Sequence, residues 1–226
     1  MRFEHSVRAK YIRISLKPSG EIRVTVPKMV SIEQAMAFVK TKIEWIRMTK
    51  SRMASENKKT IFTPDTVFST QNRKLQMQPW KSGQFRAQMS KDTLIIFYPQ
   101  DIDISSENAQ KIIRDYIISA IREEAKEQLP LRTERLAAEH GFFYRAVTVK
   151  NVSSRWGSCS ENNNINLNIH LVRLPQHLSD YVILHELTHT IHKNHSVFFW
   201  QNLNKITGGK SKELDKEMKK YRIAGF

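Results

Sequence analysis

The sequence predicts an α+β protein, and three observations predict it. Segments with a two-residue apolar period, such as Ile12-Ile14-Leu16 and Ile22-Val24-Val26, stand beside segments with helical spacing, such as Ile112, Ile113, Tyr116, Ile117, Ala120 and Ile121. The strand-like segments concentrate in the first hundred or so residues, which reads as segregated rather than alternating architecture. The chain has 226 residues, 40% of them hydrophobic and 26% charged, which is the balance of a chain with a sizeable core. The expected division is an N-terminal β-rich region with helices over 1–104 and a second domain over 105–226 that carries the chemistry.

Taken in order, Val7 to Leu16 and Ile22 to Val26 read as a β-hairpin with a basic outer face, turned at Pro18-Ser19-Gly20 and ended by Pro27. Ser31 followed by Gln34 is a capping box. It opens a helix expected from Ile32 to Met53, with Ala35, Phe38, Val39, Ile43 and Ile46 as its apolar stripe and Trp45 on that stripe or at its edge. Residues 54–65 are polar and read as loop. Val67-Phe68, Lys74 to Gln78, Phe85 to Met89 and Leu94 to Tyr98 are short strands of a small antiparallel element, separated by the turn signals Ser82-Gly83 and Lys91-Asp92. Ser105-Ser106-Glu107 begins a long helix. Pro130 is expected to kink or break it, and Gly141 ends it. Val147 and Val149 are strand. The segment from Ser153 to Ser160, the polar turn 161–164 and the alternating Ile165-Leu167-Ile169 then make strand, turn, strand. After Pro175, Ser179 or Asp180 is expected to cap a helix through Val182-Ile183-Leu184. Ser196 caps a further helix carrying Val197, Phe199, Trp200, Leu203 and Ile206, which Gly208-Gly209 ends. Lys210 to Arg222 can form one more short helix.

Composition narrows the function. No apolar run approaches the roughly 18 residues of a membrane span, and the first residues carry no apolar signal region. Cys159 is the one cysteine, so an internal disulfide is excluded and a cytoplasmic setting is expected. The net charge is +15, a field that attracts phosphates, nucleic acid or acidic surfaces. Residues 1–60 hold 14 Lys/Arg and 5 Asp/Glu, an excess of +9. No RNP-like aromatic pattern, zinc-finger spacing or phosphate-cradling glycine loop accompanies it.

The chemistry concentrates in His185-Glu186-Leu187-Thr188-His189. On a helix His185 and His189 leave the same face, and a carboxylate directly after the first imidazole completes the zincin metal pattern. Lys193-Asn194 reads as a helix end, the Asn tolerating the left-handed conformation, so that His195 returns over the same metal as a third ligand. Three protein ligands leave a fourth position for water, the catalytic rather than the structural pattern. Glu186 is the expected general base. His192 is either an outer group of the site or a surface histidine. A strand beside such a helix can pair with an extended substrate.

Arg155-Trp156-Gly157-Ser158-Cys159, Asn166-Leu167-Asn168, His185 to His189 with His195, and Phe199-Trp200 resemble the YgjP-like metallopeptidases, a zincin family also similar to the SprT and WLM groups. Val26-Pro27 and Glu44-Trp45-Ile46-Arg47 fit the same resemblance, which spans nearly the whole chain and is weakest over residues 54–105. It implies a zincin-like core with zinc on His185, His189 and His195, Glu186 as base, and a peptide or protein substrate. By analogy with the SprT and WLM groups, it also makes substrates bound to nucleic acid an expectation. Arg155, Trp156 and Asn166 are expected to contact substrate, though Trp156 also reads as packing. Tyr181, His192 and Arg155 are the alternatives for stabilising the oxyanion. Arg155 can equally hold a substrate carboxylate or phosphate. Cys159 would become a ligand only if the three-histidine set failed, and His192, Glu213 or Glu217 would take the third position if His195 did not. Two rival functions stay open: a metal-dependent nucleotide phosphohydrolase, with the basic surface gathering phosphates, and a nucleic-acid-binding module with a structural metal.

Overall fold

The structure is a computed structural model that describes residues 1–17, 20–56 and 60–223. It separates into two compact units, Met1–Thr60 and Ile61–Ala224.

In the first unit, β1 (Arg2–Ser6), β2 (Arg13–Leu16) and β3 (Ile22–Pro27) form a sheet in the order β1-β3-β2. The hairpin read from the sequence is β2 with β3, antiparallel, but residues 7–12 are not strand. β1 pairs parallel with β3 through Phe3 and Val24, a pairing that no local alternation in Arg2–Ser6 announces. Gly20 has φ +81°, and the rest of the expected turn, Pro18 and Ser19, lies outside the described residues. The inner face of the sheet packs Val24 and Val26 against Ala35 and Val39 of α1 (Ile32–Thr41) and Ile46 of α2 (Ile43–Glu56). The capping box forms in both directions, Ser31 Oγ accepting from Gln34 N at 3.2 Å and Gln34 Oε1 from Ser31 N at 3.1 Å. The helix expected to run on to Met53 is interrupted. Thr41 Oγ1 donates to Phe38 O at 2.8 Å, which tightens the last turn, and Lys42 leaves helical geometry at φ −108°, ψ 8°. Ile43 and Trp45 consequently leave the apolar stripe and are exposed.

The second unit is built on α3 (Glu107–His140). β4 (Lys74–Trp80), β5 (Arg86–Met89) and β6 (Thr93–Pro99) lie in the order β4-β6-β5. The sheet is mixed, not antiparallel: β6 is central, parallel to β4 and antiparallel to β5. Val67-Phe68 is not a strand; the chain there makes a single bridge, Ser69 to Lys74. Met77, Leu94 and Ile96 share one core with Ile113, Ile117 and Ile121 of α3, so the boundary expected at 104/105 falls inside this unit. Glu124, fully buried on α3, ties the helix to the chain entering β4 through Thr70 Oγ1 at 2.6 Å, Asn72 N at 3.2 Å and Arg73 Nη1 at 3.3 Å.

Of the kink or break expected at Pro130, the break does not occur: α3 runs through it. The ring removes one donor, but Ala125, Leu129, Thr133 and Leu136 are buried on both sides of it and hold the helix in the core. Gly141 then ends α3 in the left-handed conformation, φ 71°.

β7 (Ala146–Lys150), β8 (Gly157–Cys159) and β9 (Asn164–Asn168) repeat the mixed pattern in the order β7-β9-β8, which leaves β8 at one edge. A 3-10 turn, Ile169–Arg173, leads to α4 (Gln176–Thr188). α4 starts from Pro175, earlier than the expected caps at Ser179 or Asp180. Those two residues have other work: Ser179 Oγ donates to Leu171 O at 2.8 Å, and Asp180 forms a two-point ion pair with Arg132 of α3. α5 (Val197–Ile206) and α6 (Ser211–Met218) complete the unit. Among the described residues, no helix is long and apolar enough to cross a membrane.

Candidate metal centre and catalytic cavity

α4 carries the histidines. Leu178, Val182, Ile183 and Leu187 are buried in the core and fix the rotation of the helix. His185 and Glu186 are set by that rotation. The helix ends one turn sooner than Lys193-Asn194. Thr188 is its last residue, but His189 keeps helical geometry at φ −67°, ψ −13°, so the four-residue spacing still places both rings on one face. The turn that returns the chain uses tight bonds, Thr190 N to Leu187 O at 2.9 Å and Ile191 N to Thr188 O at 3.2 Å, and Asn194 is not left-handed. Among the described residues, the non-glycine residue with that conformation is Asn163, φ 56°, in the β8–β9 turn. Lys193 donates to Ser160 O at 2.9 Å and to Asn163 Oδ1, pinning the returning loop to that turn.

The outcome is a cluster of three imidazoles. His185, His189 and His195 each offer a ring nitrogen, all within 4.8 Å of one another. The Nε2 atoms of His185 and His195 are 3.1 Å apart. A tetrahedral zinc with Zn–N of about 2.05 Å holds two donor nitrogens about 3.3 Å apart, close to the spacing of this pair, and the third ring nitrogen lies within reach of the same ion. His189 Nδ1 donates to His192 O at 2.9 Å, which fixes the tautomer and leaves Nε2 as the free lone pair. Burial, followed by the neighbouring His189 and His195, pushes the His185 pKa down to about 4, and burial pushes His189 down as well. Both rings are therefore neutral near pH 7, the form that can coordinate a metal. Fully buried Phe199 of α5 packs against all three rings at centroid distances of 4.9, 4.5 and 4.8 Å. In the sequence Phe199 stands as one apolar residue of a helical stripe and as part of the Phe199-Trp200 pair of the family resemblance, with no role at the metal assigned to it.

Glu186 lies against β8. It is 6% exposed, and burial raises its pKa to about 7, with Arg155 pulling against that rise. Its carboxylate lies directly on Gly157: a Cβ there would stand 2.7 Å from Glu186 Cγ and Oε1 and 2.9 Å from Cδ. Gly157 is thus a residue of the site whose role the sequence reading missed. A glycine inside a short strand was the available signal, since it marks close approach of another group.

A cavity of about 490 Å³ holds the three histidines and Glu186 together with Ser154, Arg155, Gly157, Ser158, Cys159, Glu161 and Lys193. Arg155 lines this cavity. Trp156 and Asn166 do not line this cavity. They line an adjoining one of about 250 Å³, which shares Arg155 and Gly157 with the first. Trp156 packs on the core there, and Asn166 Nδ2 donates to Ser158 Oγ at 3.3 Å. Of the three groups considered for the oxyanion, Arg155 lines the metal cavity, whereas Tyr181 is buried and His192 contributes its carbonyl to His189. Cys159 lines the cavity with its thiol pKa raised by burial and is not in the ligand group. Glu217 pairs with His177 at 3.0 Å instead of joining the cluster.

Three convergent imidazoles beside a buried carboxylate define a metal-dependent hydrolase. Residues 10–221 match the family described as YgjP-like, metallopeptidase domain, and the chain belongs to that family. No curated protein matches the chain. Among solved structures, it is similar to the metallopeptidase zymogen of Pyrococcus abyssi abylysin, at 24% identity over 39% of this chain and 90% of that one with a TM-score of 0.35. It is also similar to the metallopeptidase zymogen of Methanocaldococcus jannaschii jannalysin, at 21% identity over 39% of this chain and 91% of that one with a TM-score of 0.36.

Proposed function

We propose that this metallohydrolase is a zinc peptidase in which His185, His189 and His195 hold the ion and Glu186 is the general base. The observation that carries the reading is the meeting of the three-imidazole cluster and the buried Glu186 carboxylate in one cavity. Zinc at this cluster supplies Lewis acidity, polarising a carbonyl and lowering the pKa of a water to about 7.

The protein's own groups do the rest. Glu186 accepts the proton of the attacking water on a carboxylate oxygen and returns it to the nitrogen of the leaving amine. A carboxyl group whose pKa lies near 7 is suited to both halves of that transfer. Arg155 supplies positive charge where the oxyanion develops. β8, an edge strand lining the cavity, presents backbone groups along which an extended peptide can lie. Phe199 keeps water from the far side of the imidazoles.

The excess of +9 over residues 1–60 supports substrates presented on nucleic acid, in a cytoplasmic setting that the single cysteine also suits. A second reading, nucleotide phosphohydrolysis, is supported by the cations Arg155 and Lys193 in the cavity. The position of Glu186 argues against a purely structural metal, which needs no base.

Two substitutions test the site. Glu186→Gln is expected to keep zinc at one equivalent and to lower kcat about 10²- to 10⁴-fold. His195→Ala is expected to weaken zinc binding more than about 100-fold, beyond the usual effect of losing an outer-shell partner. An active Glu186→Gln protein overturns the base assignment, and unchanged zinc affinity in His195→Ala overturns the ligand set.

A further inference from the structure

The cavity of about 250 Å³ beside the metal cavity holds a cation, Lys150, that the proposed reaction does not use. It lies where Lys150 ends β7 and Asn168 ends β9, two residues in register with each other, next to the start of β8. Ser154, Arg155, Gly157 and Ser158 line both cavities. The two spaces therefore share one wall, which includes two residues of the edge strand β8.

The backbone of that wall is held from inside. Asn168 is buried, and its Nδ2 donates to Val152 O at 2.6 Å and to Arg155 O at 2.8 Å. Its backbone N–H donates to Trp156 O at 2.8 Å, and Trp156 packs on the core. Three bonds from one residue thus fix the segment from which Arg155 projects. The amides themselves are matched: Asn168 Oδ1 accepts from His170 N at 3.2 Å, and Asn166 Nδ2 donates to Ser158 Oγ at 3.3 Å. The cations are not matched in the same way. Among the described residues, the side chains of Lys150 and Arg155 make no hydrogen bond or ion pair, although Arg155 acts on Glu186 through space. No Asp or Glu among the described residues lines this cavity. Two positive groups on one preformed wall, with no acid between them, favour a negatively charged occupant.

We propose that this cavity is an anion subsite in which Lys150 and Arg155 hold a carboxylate of the substrate, from an acidic side chain or from the C-terminus of the peptide. The inference rests on the peptidase reading. The occupant is the substrate because the wall is shared: a polypeptide lying along β8 at the histidines passes the four residues that line both cavities, and a carboxylate a short way along it meets the cations. Arg155 offers a planar fork that matches a carboxylate at two points, and Lys150 adds a point charge. A guanidinium has five N–H donors, so holding a carboxylate leaves others for the oxyanion. Glutamine in place of glutamate keeps the shape and loses the charge.

The test uses the zinc-loaded full chain and one peptide series. Glu or Gln is placed in turn at each position flanking one bond, with the C-terminus free or amidated. At one position, or with the free C-terminus, the carboxylate form is expected to be cleaved with at least about tenfold higher kcat/KM, the factor carried by one hydrogen bond to a charged group. A preference tied to position assigns the subsite to a side chain, and one tied to the free end assigns it to the terminus. Lys150 is exposed, so its substitution leaves the core intact. Lys150→Arg is expected to retain the preference, and Lys150→Glu to bring the ratio to one or below. No preference for a carboxylate anywhere in the series overturns the proposal, as does an unchanged ratio in Lys150→Glu. A wild-type chain that cleaves no peptide overturns the peptidase reading instead. The subsite is then judged by peptide binding to the zinc-loaded Glu186→Gln protein, where carboxylate-dependent binding lost in Lys150→Glu upholds it and equal binding of all peptides overturns it.

Discussion

Gly157 shows how much one missing methyl group can decide. Its backbone lies against Glu186 so closely that any Cβ would overlap the carboxylate, and its φ is outside the region that favours glycine, so close approach is the whole reason for the residue. Gly157→Ala is accordingly expected to fold and to keep its zinc while kcat falls about 10²-fold, the usual result of moving a reacting group by about an ångström. KM should change little, because the displaced group is a proton carrier. Unimpaired kcat with intact zinc would show that Glu186 does not act from this position. His185, Glu186 and His189 were legible in the sequence because helical spacing is local. Gly157 was not, since its partner lies on an element that only tertiary packing brings to it. His195 was legible through spacing, although the turn that returns it is built from tight 3-10 bonds and Lys193 instead of a left-handed Asn194.

The elements that place α4 are the 3-10 turn Ile169–Arg173 and the long helix α3. The turn carries His170, which is 4% exposed. Burial, then the neighbouring Arg173, lowers its pKa from 6.5 to about 4. The unfolded chain therefore binds a proton near pH 6.5 that the folded chain refuses until about pH 4. Stability is complete above that window and falls as pH drops through it. At pH 5 this group alone costs about 2 kcal/mol relative to pH 7.5. His170→Asn is expected to lose about 2 kcal/mol less than the wild-type chain between those two pH values in urea unfolding. Equal losses would mean that the buried imidazole is not the acid-sensitive group. The burial of this histidine was not legible, because His170 falls on the polar side of an alternating strand that in fact ends at Asn168. Helix α3 gave the opposite error: Pro130 reads locally as a breaker, and packing on both sides overrides it.

At the scale of the molecule, one strand arrangement occurs three times among the described residues: β1-β3-β2, β4-β6-β5 and β7-β9-β8, each with the last strand central, parallel to the first and antiparallel to the second. Alternation in the sequence located most of these strands, but the parallel pairs join segments separated by an intervening strand, and no local period encodes that choice. Charge, in contrast, was legible at once, since +15 follows from counting. Peptide-bond hydrolysis with the histidine cluster and Glu186 is the activity we propose for this chain. Its most direct test is to incubate zinc-loaded protein, beside Glu186→Gln, with an unfolded protein, with and without DNA, and separately with nucleoside triphosphates, reading new amino termini against released phosphate. New termini that disappear in Glu186→Gln are predicted, with DNA raising the yield for a DNA-binding substrate. Phosphate release without new termini would contradict the account and make the chain a nucleotide hydrolase on a peptidase scaffold.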